Sequence, residues 1–108
     1  MTIQQPTFQP ILNVDIVNAT EPKITNLVLT LADTEYSHML VNGLKELIIK
    51  CREYSDLKYS FVSGESDTKY FTIWRGTCHN LNDLDFNNKT LFIQSSRANV
   101  TVEVMELY

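Results

Sequence analysis

Glycine is the first shortage. The 108-residue chain holds three, Gly43, Gly64 and Gly76, too dispersed for a phosphate loop, which excludes the nucleotide-binding folds that depend on one. Positive charge is the second. Nine Lys and Arg against thirteen Asp and Glu leave a formal charge of -4, and the basic residues form no run. DNA and RNA are therefore not expected as ligands, because neutralising phosphates takes a concentrated basic surface. The acidic balance leaves room instead for a basic partner. No apolar stretch approaches the length of a membrane span, and the opening Met1-Thr2-Ile3-Gln4-Gln5-Pro6-Thr7 has neither positive charge nor an apolar core. A cytoplasmic protein without membrane association is expected. On that expectation the sequons at Asn18, Asn88 and Asn99 are chance products of an asparagine-rich chain. Low-complexity sequence is missing too, and 44% hydrophobic residues argue for a single folded domain over 1–108 that needs neither staple nor metal.

Catalytic and metal motifs are equally thin. The two cysteines and two histidines, Cys51, Cys78, His38 and His79, match no zinc-ligand spacing. Cys78-His79 suggests a thiolate and imidazole pair, but adjacent residues rarely aim their side chains at each other. The base would have to be His38, with nothing to orient it. A disulfide between Cys51 and Cys78 is disfavoured in a reducing compartment. Asp83, Asp85, Asn87 and Gln94 follow a calcium-loop spacing, yet Asn88 stands where glycine is needed and Gln94 where a bidentate glutamate is needed. A tight turn explains the same residues through Asn and Asp side-chain hydrogen bonds. Asp83 and Asp85 as a paired acid and base centre yield to the same explanation. No catalytic residue, metal or cofactor is assigned, and the chain is expected not to be an enzyme.

What is present is periodicity. Tyr36, Leu40, Leu44, Leu47, Cys51 and Tyr54 recur at steps of three and four, Val41 and Ile48 widen the stripe, and Glu35, His38, Asn42, Lys45, Glu46, Arg52 and Glu53 fill the other side. This spacing predicts one long amphipathic helix over 34–54, capped by Asp33 or Thr34. Met39 and Ile49 project toward its polar side and are candidates for contact with a partner.

Strand patterns surround it. Ile11 to Val17 and Ile24 to Leu31 alternate and are joined by the turn-like Asn18 to Lys23; residues 1–10, with Pro6 and Pro10, suit an extended arm. Leu57 to Ser63 and Lys69 to Arg75 flank Gly64-Glu65-Ser66-Asp67, a hairpin signal. Thr90 to Gln94 and Val100 to Leu107 form another candidate hairpin, with Val100, Val102 and Val104 on one face opposite Thr101, Glu103 and Met105. A short strand around Asp83 to Phe86 is expected to pair with Thr90 to Ile93. The predicted fold is α+β: one antiparallel sheet of five to seven strands, in the order β-β-α-β-β-(β)-β-β, on one helix.

A six-stranded sheet is about 25–29 Å wide and a helix about 10–12 Å across, so one helix shields roughly half of one face. Several strands are nonetheless apolar on both sides. Something further must cover them, and a homodimer is the first expectation. Tyr59, Phe61, Tyr70 and Trp74, with the acidic Glu65, Asp67, Asp83 and Asp85, are the candidate contacts for a partner protein, because aromatic residues dominate binding energetics. The expected function is non-catalytic binding of another protein by a small acidic inhibitor, immunity or antagonist protein that occludes it. A homo-oligomer that sequesters a small ligand is the alternative.

Overall fold

A computed structural model describes residues 22–108. Among them are eight strands and no helix: β1 (Pro22–Leu29), β2 (Tyr36–Met39), β3 (Glu46–Cys51), β4 (Leu57–Ser60), β5 (Phe71–Ile73), β6 (Cys78–Leu81), β7 (Thr90–Ser95) and β8 (Val100–Leu107). They form two four-stranded antiparallel sheets, ordered β1-β8-β3-β6 and β2-β7-β4-β5. Every connection except β4 to β5 crosses from one sheet to the other. This is the strand order of a jelly roll, two Greek keys wound into a sandwich.

The α+β expectation is therefore overturned, and the segment that overturns it is the expected helix. Residues 34–54 hold β2, a turn and β3. Two strands imitate a helical stripe here because the turn shifts the phase. Before it, Tyr36, His38 and Leu40 point inward at steps of two; after it, Leu47, Ile49 and Cys51 do the same. Gly43 makes the shift, at a φ of 80° that an L side chain rarely adopts. Its presence in the middle of the stripe was the warning. Ile49, a misfit on the helix, is wholly buried, and Met39 is 77% exposed on the outer face of β2.

The single-sheet expectation falls with it. Thr90 to Gln94 and Val100 to Leu107 are not a hairpin, for β7 pairs with β2 and β4, while β8 lies between β1 and β3 in the other sheet. The strand after β5 is Cys78–Leu81, and Asp83 to Phe86 lies in the β6–β7 loop. The hairpin of β4 and β5 does form, in the register Leu57↔Ile73 and Tyr59↔Phe71. Ile11 to Val17 and the expected arm lie outside the described residues.

The core fills the space between the sheets. Leu29, Leu47, Ile49, Val100, Val102 and Val104 descend from one, and Leu57, Tyr59, Ile73, Leu91 and Ile93 from the other. Strands apolar on both sides are explained by residues outside the core. Phe92 and Ser60 lie opposite each other on the outer face of β2-β7-β4-β5. Residues 61–70 fold back over that face: Ser66, 1% exposed, donates its hydroxyl proton to Glu35 and meets the Gln94 side-chain amide at 2.9 Å, and the Gly64 N–H donates to Glu35 at 2.8 Å. Burial pushes the Glu35 carboxyl up, but the Ser66 hydroxyl and the two backbone amides outweigh it and hold the group below the ordinary carboxylate range.

Candidate functional site

β5 and β6 end their respective sheets on the same side, so the sandwich opens between them. The opening is an apolar groove of about 370 Å³ lined by Tyr59, Phe61, Val62, Phe71, Leu81 and Leu84, with Lys69 at its edge. A second depression of about 350 Å³ adjoins it, sharing Phe71, Leu81 and Leu84 and adding Asn82 and Asp83.

Period two builds the groove. Tyr59 points inward from β4 and is 2% exposed. Its hydroxyl meets His79 Nδ1 from β6 at 3.0 Å, tying the two sheets together beneath the opening. Phe61 and His79 stand edge-on to the Tyr59 ring at 5.9 and 5.6 Å, and Phe71 stacks on it at 6.1 Å with an interplanar angle of 29°. Burial pushes the Tyr59 phenol up, which keeps it a neutral hydrogen-bonding floor. Phe71 shares the inward face of β5 with Ile73, but among the described residues no further strand of its sheet lies beyond it, and it is left 70% exposed. Val62 and Leu84, at 53% and 49%, extend the apolar rim.

The residues expected to bind a partner are thus divided. Tyr59 and Phe61 join the groove as floor and wall. Tyr70 lies outside it, beneath the Lys58 ammonium at 4.8 Å, and Asp67 takes Lys58 in an ion pair of 3.0 Å. That hydrogen bond holds the Lys58 pKa above its ordinary value. The backbone oxygen of Glu65 accepts from the Thr68 and Lys69 amides, so this residue builds the loop turn. Trp74 stands 65% exposed on the β5–β6 link. Beside it Arg75 is locked to Asp56 by its backbone amide at 2.7 Å and its guanidinium at 3.2 and 3.3 Å, with its cation 5.3 Å from the Tyr54 ring. The Arg75 guanidinium holds the Asp56 carboxyl below the usual range. Asp83 borders the second depression, and Asp85 accepts the Asn87 amide at 3.0 Å.

Phe71 and Leu84 were missed from the sequence. Alternation separated Tyr70 and Trp74 from Phe71 and Ile73, but it did not say which set faced the core edge. Also missed was Glu106, wholly buried on β8. Its Oε1 shares a hydrogen bond of 2.7 Å with His38 Nε2 from β2, and its Oε2 accepts the Val41 amide at 2.8 Å. This pair spans the core, binding the edge strand of one sheet to a central strand of the other.

Cys78 and His79 diverge as strand neighbours must, the thiol outward near Asn80 and the imidazole inward on Tyr59. Cys51 and Cys78 are free thiols on opposite faces of their sheet, and burial pushes the Cys51 thiol up. Among the described residues no group of three or more His, Cys, Asp or Glu is placed to hold a metal ion. None of them belongs to a helix long and apolar enough to cross a membrane. No protein family, curated protein or solved structure matches this chain.

Proposed function

We propose that the chain is a non-catalytic protein-binding module, a small acidic inhibitor or antagonist that seats an apolar segment of its partner in the groove between β5 and β6. The observation that carries this reading is Phe71: a large aromatic side chain left 70% exposed, stacked on a buried tyrosine, in the lining of an apolar groove. Rigid aromatic anchors set in desolvated pockets dominate binding energy at interfaces, because little side-chain entropy is lost when they are covered. Asp83 and Asp85 on the adjoining β6–β7 loop favour a segment flanked by Lys or Arg, raising the rate of encounter more than the final affinity.

Selection of a random peptide library against the whole chain tests this. Enriched peptides should combine apolar anchors with basic flanks, and Phe71→Ala should weaken them at least about tenfold, the range of an interface hot spot. Replacing Asp83 and Asp85 with Asn should slow association and flatten its salt dependence. Peptides that ignore Phe71→Ala and Leu84→Asp would sink the proposal. The groove volume of about 370 Å³ supports a second reading, sequestration of a small apolar ligand, since such sites start at about 300 Å³. Mass spectrometry of the purified chain for a retained compound separates the two readings.

A further inference from the structure

The groove leaves unused the outer face of the β1-β8-β3-β6 sheet. There the register aligns Ile24 with Met105 and Met105 with Ile48, an apolar row across three strands, in a depression of about 340 Å³. Ile24 and Val28 are 64% and 55% exposed. Charge lies unevenly about the row. Along β3, Glu46 stands two residues before Ile48 and Lys50 two residues after it, all three on the outer face. Glu46 has no ion pair among the described residues. Lys50 reaches Glu103 at 3.4 Å, the longest of the ion pairs, with 54% of its side chain exposed, and an ammonium has three donors to share.

We propose that this face is a homodimer interface in which two copies stack their β1-β8-β3-β6 sheets about a twofold axis running along the Ile24–Met105–Ile48 row. Rotation about that axis keeps each strand over its own mate and reverses its direction. Ile48 and Met105 then meet their counterparts, and Glu46 comes to lie opposite the partner's Lys50, twice by symmetry. The axis converts a lopsided charge pattern into a complementary one, which is the argument for a second copy over an unrelated protein. Aligned sheet packing of this kind is ordinary in sandwiches. Four strands at about 4.8 Å and strands of up to eight residues at about 3.4 Å per residue give a footprint of at most roughly 500 Å² per copy. The total of roughly 1,000 Å² sits at the lower bound for a specific pair, so dimerisation should depend on concentration.

Sedimentation of the full chain over about 1 μM to 1 mM, a window bracketing affinities of that class, should show a monomer–dimer equilibrium. Met105→Lys should abolish the dimer while leaving the melting temperature of the monomer unchanged. Glu46→Lys and Lys50→Glu should each weaken it at least about tenfold, because each sets like charges opposite one another twice. Mixing the two variants should restore one-to-one association, since every crossing pair is then again of opposite sign. A chain that stays monomeric throughout overturns the proposal, as does a dimer indifferent to Met105→Lys. A mixture no tighter than its components overturns the twofold placement.

Discussion

On the outer face of the β2-β7-β4-β5 sheet, residues 61–70 fold back and bury Ser66 and Gln94 against Glu35, whereas the outer face of the β1-β8-β3-β6 sheet presents Ile24, Ile48 and Met105 with no such loop across them among the described residues. The two sheets contain the same number of strands and share one core, so the difference is local. Among the described residues the β4–β5 connection is the only one that returns within a sheet, and ten residues join strands that a short turn would connect. The surplus chain lies across its own sheet. Crossing connections instead run over the ends of the sandwich, and β1-β8-β3-β6 contains no internal hairpin to supply a cover. A jelly roll thereby leaves one face for other uses.

The largest expected effect breaks what the sheets have in common. Glu106→Ala should cost about 3 kcal/mol or more in chemical denaturation, because the part-buried His38 imidazole and Val41 amide both lose their acceptor. Next comes the covered face. Ser66→Ala removes the hydroxyl that donates to Glu35 and meets the amide of Gln94, itself 5% exposed, and should cost about 1–3 kcal/mol with faster amide exchange across 61–70. On the open face, Ile24→Ser should stay within about 0.5 kcal/mol at monomer concentrations; a cost equal to that of Ser66→Ala would abolish the distinction between the faces. Glu35→Gln sharpens it through pH. The folded-state carboxyl titrates below its reference value of 4.5, so its contribution is present above that pH and disappears as pH falls through the folded value. The variant should be less stable than the natural chain at pH 7, and the gap should narrow as pH falls below 4.5. The smallest effect is at Met39, which is 77% exposed. Met39→Ser should leave stability within about 0.5 kcal/mol.

Legibility in the sequence followed the range of the interaction. β8 occupies Val100–Leu107 with its valines buried and Thr101, Glu103 and Met105 outward, as alternation alone predicts. The β4 and β5 hairpin could be read from Gly64 and its neighbours, although only Phe71–Ile73 of the second run is strand. Residues 34–54 misled because a turn of a few residues between two short strands reproduces steps of three and four. Two of the residues lining the groove, Tyr59 and Phe61, were already candidates from the sequence. Its other wall is Leu81, from the opposite sheet, and Leu84, from the loop after it, and no local pattern places β6 beside β5. Glu106 was hidden for a related reason: a buried acid is recognisable only by its partner, and His38 lies 68 residues away.

By itself the sequence determined the acidic balance, the absence of a phosphate loop, the alternation of β8 and the turn at Gly64. These follow from composition or from neighbours along the chain. Tertiary structure decided that residues 34–54 are two strands, which sheet each strand joined, and which aromatic residues became floor and which stayed exposed. Six of the seven connections between the described strands cross between sheets, so the pairings that fix those outcomes are long-range. A periodic pattern states which side of a strand is apolar; only the packed sandwich states what that side meets.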